Sequence, residues 1–203
     1  MENYQKELEK IIVEAKRAGK RPTLLLHGCC APCSSHSLEY LSQYFDITLF
    51  FYNPNITPRE EYILRRDEAM RLTKELEVSF PVSFLEGEYD DRLFFEAVKG
   101  LERCKEGGER CKKCFELRLF ETARMAKQMG FDYFSTTLTI SPLKNAELLN
   151  NTGKTASDET GVAWLPSDLK KKNGYLRSIE LSKKHNLYRQ NYCGCIFSKT
   201  NNQ

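Results

Sequence analysis

The chain has 203 residues, of which 40% are hydrophobic and 29% are charged, and its formal net charge is +3. This composition is typical of a globular protein that can bury a sizeable core, and it excludes an intrinsically disordered chain. No apolar run approaches the roughly 20 residues of a membrane span, and the charged amphipathic start of the chain lacks the apolar stretch of a secretory signal, so we expect a cytoplasmic location.

Helices and strands alternate in the predicted order of elements. Short apolar, β-branched or aromatic runs indicate the strands, and helical spacing of apolar residues indicates the helices. In chain order the predicted elements are a helix over about 4–17, a strand over 23–26, a helix over 36–44, a strand over 47–52, a helix over 59–77, a strand over 82–85, a helix over 91–99, a helix over 111–130, a strand over 133–139 and a basic helix over 176–185. Ser34 or Ser35 is placed to cap the second helix. Residues 150–174 are rich in Asn, Gly, Ser and Lys and are predicted to form a mobile loop.

This order of elements predicts an α/β fold, with a mostly parallel sheet flanked by helices and a C-terminal helical extension. We expect a single domain over residues 1–203, with a basic loop-helix segment at about 150–198 completing the active site. Ligands of such sheets bind outside the carboxyl ends of the strands. Three loops reach that edge, at 29–33, 53–55 and 141–145. The sequence therefore predicts one crevice lined by these three loops.

The eight cysteines fall into four groups. The groups are Cys29, Cys30 and Cys33; Cys104; Cys111 and Cys114; and Cys193 and Cys195. In a reducing compartment such thiols are ligands or redox groups rather than disulfides. Thiolates gathered by the fold favour a soft metal or an iron–sulfur cluster, and seven grouped thiols exceed what one four-thiolate site uses. Taken alone, Cys111-x-x-Cys114 is equally typical of a dithiol redox pair or a zinc knuckle.

Four other features allow a structural and a functional interpretation. Cys104 lies among charged residues, and we interpret it as a bystander to the metal site. His27 ends an apolar strand, so it is either a buried, hydrogen-bonded histidine or a neighbour of the site. Asp90 is either a helix cap or a carboxylate aimed at the crevice. The segment 167–190 carries five net positive charges, which fits either a solvated helix face or a surface for nucleic-acid phosphates.

Six stretches, in order along nearly the whole chain, carry a family resemblance. They are HGCCAPCS at 27–34, FYNPNI at 51–56, YDDRLFFEAVKGLE at 89–102, GERCKKCFELRL at 108–119, STTLTISPLKN at 135–145 and LSKKHNLYRQNYCGCIFS at 181–198. Together they resemble the QueH family of epoxyqueuosine reductases. The chain departs from the family pattern at Cys104, where acidic and proline residues are usual, so the resemblance gives that residue no role.

The resemblance implies a fold related to the adenine-nucleotide α-hydrolase (PP-loop) group, with cysteines in place of the nucleotide loop. It implies reduction of the epoxide of epoxyqueuosine at the wobble base of a tRNA, the last step of queuosine synthesis. The implied cofactors are a [4Fe–4S] cluster and an additional mononuclear iron, without cobalamin. The implied partners are the anticodon loop of queuosine-type tRNAs and an external electron donor such as a ferredoxin or a flavodoxin.

The same resemblance leads to an assignment of roles. Cluster ligation is assigned to Cys30, Cys111, Cys114 and Cys193. The second iron is assigned to thiols among Cys29, Cys33 and the terminal pair that ends at Cys195. Catalytic roles are assigned to Cys29, Cys33 and Asp90. Contact with tRNA is assigned to Lys170, Lys171, Lys172, Tyr188 and Arg189.

Two rival functions remain at the level of sequence. One is a PP-loop enzyme that activates a tRNA base with ATP, and the chain lacks the Ser-Gly-Gly type of phosphate loop that this chemistry uses after the first strand. The other is a zinc-bound nucleic-acid module without catalytic activity, which has no need of seven grouped thiols.

Overall fold

The computed structural model describes residues 3–199 as helices packed on one sheet. In chain order the elements are α1 (Tyr4–Arg17), β1 (Thr23–His27), α2 (Ala31–Leu41), β2 (Asp46–Phe51), α3 (Arg59–Glu75), β3 (Ser83–Glu86), α4 (Asp91–Ala97), α5 (Glu109–Met129), β4 (Tyr133–Thr136), a 3₁₀ turn (Thr137–Ile140), α6 (Ala146–Thr160), β5 (Ala163–Trp164), α7 (Gly174–Lys184) and α8 (Ile196–Lys199). Within this described range, no helix combines the length and apolar character needed to cross a membrane.

The sheet has five parallel strands in the order β3-β2-β1-β4-β5. β1 lies in the centre, where His27 is in register with Phe50 of β2 and with Thr136 of β4. Successive strands run outward from β1 in one direction to β3 and in the other to β5, so the topological switch point lies between β1 and β4. Crevices at such switch points bind the ligands of open α/β sheets.

Both faces of the sheet are covered by helices. Leu24 and Leu26 of β1 pack on one face with residues of α1, α2, α3 and α7. Leu25 faces the other side and packs with Phe134 of β4 and Ala123 of α5. All three leucines have no exposed surface, which explains why β1 reads as a continuous apolar run. The predicted α/β class with a mostly parallel sheet is confirmed.

Helix α2 begins earlier than its sequence predicts. Its N-cap is Cys30, and Pro32 occupies the first turn, where a fixed φ and a missing N–H suit a helix start. Ser34 and Ser35 therefore lie inside the helix, and their hydroxyls donate to the carbonyl oxygens of Cys30 and Pro32 at 2.8 and 2.9 Å. The prediction that either serine caps this helix is wrong. The consequence is that the cysteine loop and the helix start coincide.

The predicted loop over 150–174 is also wrong in its first half, where α6 continues to Thr160 and β5 follows. The small and polar residues there pack closely rather than form a loop. The buried side-chain amide of Asn150 donates to the carbonyl oxygen of Ser167 at 2.9 Å and accepts from the Trp164 indole at 3.0 Å. Gly153 lies against the same indole, since a Cβ built there would be 2.3 Å from Trp164 Cδ2.

Candidate metal centre

A cavity of about 410 Å³ lies beyond the carboxyl ends of β1 and β4, and six cysteines line it. They are Cys29, Cys33, Cys111, Cys114, Cys193 and Cys195. Cys30 is only 1% exposed, and its Sγ lies 3.8 Å from the Sγ of Cys29. Cys104 is not among the lining residues. The fold thus gathers the seven cysteines that the sequence grouped and leaves the eighth outside.

The first thiol group, Cys29, Cys30 and Cys33, is compact enough to hold one metal ion. Its three sulfur atoms all lie within 4.8 Å of one another. Hydrogen bonds from Cys30 and then Cys33 hold the pKa of Cys29 well below its usual range. The contact with Cys29 raises the pKa of Cys30 to about 12, and the contacts with Cys29 and Cys30 raise that of Cys33. These shifts favour the thiolate form at Cys29 and the thiol form at Cys30 and Cys33, and a bound metal would displace the protons that remain.

The second group, Cys111 and Cys114, lies in the first turns of α5. The positive end of a helix dipole stabilises thiolates at this position. The backbone N–H of Gly107 also points at the Sγ of Cys111, at 3.2 Å. Burial raises the pKa of the Cys114 thiol, so a metal would have to displace its proton on binding.

The third group, Cys193 and Cys195, is held in place by the loop after β2. Gly194 has φ +97°, and a Cβ there would be 2.7 Å from Cγ1 of Ile56. The N–H of Thr57 donates to the carbonyl oxygen of Gly194 at 3.1 Å. A hydrogen bond from Cys195 lowers the pKa of Cys193 well below its usual range and raises that of Cys195. This close approach of two loops delivers a thiol pair from near the C-terminus to the cavity.

The cavity wall is rich in positive charge. Its cationic residues are Arg65, Arg110, Arg118, Lys144 and Arg189, and its single acidic residue is Glu106, which pairs with Lys144 at 2.9 Å. Burial acts against the charged form of Lys144, but the Cys193 thiolate and the bond with Glu106 leave its pKa raised. Sequence reasoning placed the loop of Lys144 at the crevice without singling out this residue.

Arg110 and Arg118 were also missed from the sequence. Their spacing relative to Cys114 indicated a place at the site, because residues four apart share a face of a helix. Arg110, Cys114 and Arg118 are such a series, and all three are buried in α5. The two arginines could therefore have been predicted as site residues, since they share a helix face with a thiol of the site.

His27 is a buried, fully hydrogen-bonded histidine. Its Nε2 lies 3.1 Å from the carbonyl oxygen of Tyr52, which can only accept, so Nε2 carries the proton. Its Nδ1 then accepts from the Thr136 hydroxyl at 2.9 Å. Burial lowers the pKa of His27 to about 4, which keeps the ring neutral. The structural interpretation of His27 accounts for both ring nitrogens.

Asp90 lies at the N-terminus of α4 and acts as its cap. Its Oδ1 accepts from the backbone N–H of Arg92 at 3.0 Å, and its Oδ2 pairs with the Arg92 guanidinium at 2.8 Å. It is not among the residues that line the cavity. The geometry is that of the helix-cap interpretation, and the structure does not bring Asp90 to the thiols.

The candidate tRNA contacts occupy two different settings. Lys170 pairs with Asp168 at 2.7 Å, Lys171 lies 4.0 Å from the same carboxylate, and Lys172 pairs with Glu9. Much of the positive charge of Lys170, Lys171 and Lys172 is therefore compensated by carboxylates of the same chain.

The other two candidates lie nearer the cavity. The hydroxyl of Tyr188 donates to the Glu61 carboxylate at 3.2 Å. Arg189 lines the cavity and forms no ion pair within residues 3–199. Of the five candidates, only Arg189 places an uncompensated charge at the thiol-lined cavity.

Fold and site together define a class: a parallel α/β protein with a thiol-lined cavity at its switch point and a cysteine group that could hold a metal ion. A sequence model of the family described as epoxyqueuosine reductase QueH matches residues 24–201. The chain belongs to the QueH family of epoxyqueuosine reductases, which are oxidoreductases.

Similar proteins of this name come from several bacteria. The protein from Staphylococcus epidermidis is 45% identical over 200 residues, which cover 97% of this chain and 84% of the relative. The protein from Streptococcus pyogenes serotype M1 is 42% identical, with 97% and 78% covered. The protein from Thermotoga maritima is 38% identical, with 87% and 90% covered. The resemblance carried by the six sequence stretches is confirmed.

Proposed function

We propose that this chain reduces the epoxide of epoxyqueuosine at the wobble position of tRNA to queuosine, the last step of queuosine synthesis. The observation that carries the proposal is a cavity lined by six cysteines, with Cys30 in contact with one of them, in a chain that belongs to the QueH family. The cavity volume of about 410 Å³ is within the range of sites that enclose small molecules.

The donor set fits an iron–sulfur cofactor. Seven thiol sulfurs are soft ligands, and thiolates are what such clusters use. We assign Cys30, Cys111, Cys114 and Cys193 to a [4Fe–4S] cluster. A second iron is assigned to thiols among Cys29, Cys33 and Cys195. Asp90 caps α4 and is therefore not included in this ligand set.

Opening the epoxide to an alkene consumes two electrons and two protons and releases the oxygen as water. When bound, the iron centre would supply the electrons singly and polarise the epoxide oxygen. The protein's own contribution is the shape and polarity of the cavity. The apolar side chains of Phe94, Phe115, Leu138 and Ile140 line it and exclude water, and Lys144 holds a proton at its Nζ close to Cys193.

The tRNA must present a single unstacked base to this cavity. Proteins that act on a base inside a folded nucleic acid extrude it and hold the flanking backbone through phosphate contacts. Arg189 is placed for such a contact at the cavity wall. Lys170, Lys171, Lys172 and Tyr188 are proposed as contacts farther along the anticodon arm. An external one-electron donor, such as a ferredoxin or a flavodoxin, completes the reaction.

The test is anaerobic purification, followed by metal analysis and assay on tRNA that contains epoxyqueuosine. We expect brown protein with iron and acid-labile sulfide, and conversion of the modified base to queuosine. Cys111→Ala should lose cluster absorbance and conversion together. Cys104→Ala should keep both, because Cys104 lies outside the cavity. Colourless, zinc-loaded protein without conversion would overturn the proposal in favour of a non-catalytic zinc module.

A further inference from the structure

Two buried arginines of the cavity have no carboxylate partner. Arg110 and Arg118 are 1% and 4% exposed, and both line the cavity from α5. Neither forms an ion pair with any Asp or Glu among residues 3–199. Arg65, the third buried arginine of the same cavity, does form one, with Glu61 at 2.7 Å. The difference sets Arg110 and Arg118 apart from ordinary buried arginines.

The hydrogen bonding of Arg110 is also incomplete. Nη1 of Arg110 donates to carbonyl oxygens in the preceding loop, including that of Glu102 at 2.7 Å. Nε and Nη2 of Arg110 are buried and have no acceptor within residues 3–199. Nε of Arg118 donates to the carbonyl oxygen of Cys114 at 3.1 Å, and Arg118 lines the cavity. Native proteins rarely leave buried donors such as Nε and Nη2 of Arg110 unpaired, because each one forfeits its hydration.

The positive charge of the cavity wall also indicates that the cavity favours an anionic occupant. A buried cation is unfavourable unless an anion lies nearby. Lys144 adds a further positive charge that Glu106 offsets, and the N-terminus of α5 adds the positive end of a helix dipole. The groups left to balance Arg110 and Arg118 are the thiols that share the cavity with them. The cavity is therefore built for an occupant with net negative charge and hydrogen-bond acceptors.

We propose that Arg110 and Arg118 are the built-in counter-ions of an anionic thiolate–iron centre, and that they raise its reduction potential. The identity of the centre rests on the proposed function. Reduction adds an electron, so a nearby fixed positive charge stabilises the reduced state, and hydrogen bonds to cluster sulfurs act in the same direction. The two arginines are positioning residues, since they act on the iron centre and not on the substrate.

The test measures the midpoint potential of the anaerobically reconstituted full chain, in a redox titration followed by visible absorbance and electron paramagnetic resonance. Arg110→Gln and Arg118→Gln should each shift the potential to more negative values. Arg118→Lys should shift it less, because the charge remains. Arg124→Gln is the matched control on the same helix, since Arg124 is 63% exposed and pairs with Glu121 at the surface; its potential should equal that of the wild type.

A second measurement separates a charge effect from damage to the fold, because Arg110→Gln also removes the bonds to the preceding loop. Metal-free Arg118→Gln should melt no lower than the metal-free wild type, while metal loading should raise its melting temperature by less. Gln variants with full iron and sulfide content and an unchanged potential would overturn this inference and leave the proposed function standing. A wild-type chain that takes up no iron would overturn the cofactor and this inference together.

Discussion

At the scale of single residues, the terminal thiol pair depends on the absence of a side chain between its members. Gly194 combines φ +97° with close contact to the loop after β2. Its carbonyl oxygen accepts from Thr57, and Arg65 donates to the neighbouring carbonyl oxygen of Tyr192 at 3.3 Å. A residue with a Cβ would meet both a strained backbone and a steric clash.

Gly194→Ala should therefore displace Cys193 and Cys195 and lower the iron content of the reconstituted protein. The positive φ alone costs about 1–2 kcal/mol, and the clash with Ile56 adds to it. Gly100→Ala is the matched control, because Gly100 has φ +82° but no atom within 4 Å of the added Cβ. Iron analysis and thermal melts check both variants. Equal iron content in Gly194→Ala and Gly100→Ala would show that the clash does not move the thiol pair.

The thiols of the site were predictable from the sequence, whereas for the charges around them the sequence gives only the shared helix face of Arg110, Cys114 and Arg118 and not their burial. Cys29, Cys30 and Cys33 directly follow a strand whose apolar run is visible in the sequence. Because the carboxyl ends of parallel strands form the ligand-binding edge of the sheet, their place at the crevice could be predicted. Arg118 lies in a helix with many charged residues, and only the packing of α5 against the sheet decides which of them are buried. Burial of a charged side chain is a tertiary property that a single sequence does not encode locally.

At the scale of elements, α6 shows how polar composition can conceal a packed helix. Asn145 caps it through its side chain, which accepts from the N–H of Leu148 at 3.1 Å. Inside the helix, Asn150 bonds to the indole of Trp164 in β5 and to the backbone of Ser167, which follows that strand. Residues 150–174 were predicted to form a loop because Asn, Gly and Ser favour turns when nothing packs on them. The strands, by contrast, were predictable because burial on both faces leaves a continuous apolar run.

Gly153→Ala in α6 should destabilise the protein by about 1–3 kcal/mol through overpacking. Helix propensity favours alanine over glycine by about 1 kcal/mol, but the new Cβ would lie 2.3 Å from the Trp164 ring. That ring cannot shift without breaking the bond from its Nε1 to Asn150. Urea unfolding of the metal-free protein measures the effect. Lys154→Ala, at an exposed neighbouring position, should change stability by less than about 0.5 kcal/mol.

A Gly153→Ala variant as stable as the wild type would mean that β5 can move away from α6. In that case the packing of Gly153 on Trp164 would not be what fixes the position of the strand. The comparison of the two variants thus tests whether the packing of Gly153 on Trp164 is what makes this polar segment a helix rather than a loop.

At the scale of the whole molecule, the basic C-terminal segment is less cationic than its composition indicates. Arg177 pairs with Glu39 at 2.6 Å, and Lys184 pairs with Glu77 at 2.8 Å. The lysines of 170–172 face Asp168 and Glu9. Of these acidic partners, Glu9, Glu39 and Glu77 lie outside the segment 167–190, and only Asp168 lies within it. The positive charge that is concentrated in this segment of the sequence is therefore paired, in the fold, with carboxylates from other parts of the chain. Within residues 3–199, the positive charges at the cavity that have no carboxylate partner belong to Arg110, Arg118 and Arg189.

Charge reversal separates the two proposed sets of tRNA contacts. Each lost phosphate contact lowers the slope of log affinity against log salt by about 1. Arg189→Glu should weaken tRNA binding and reduce that slope, because Arg189 lies at the cavity without an ion-pair partner. The triple variant Lys170→Glu, Lys171→Glu and Lys172→Glu should also weaken binding and flatten the slope, measured by filter binding across a salt series.

The control for this experiment is Lys184→Glu, which breaks a surface ion pair of the same basic segment at the far end of α7. It should leave the salt slope unchanged, and thermal melts should show all three proteins folded at the assay temperature. If the triple variant keeps the wild-type slope while Arg189→Glu reduces it, the lysine run is an ion-paired, solvated face. The phosphate contacts would then lie at the mouth of the cavity, which requires the anticodon loop to enter with its backbone against the C-terminal segment.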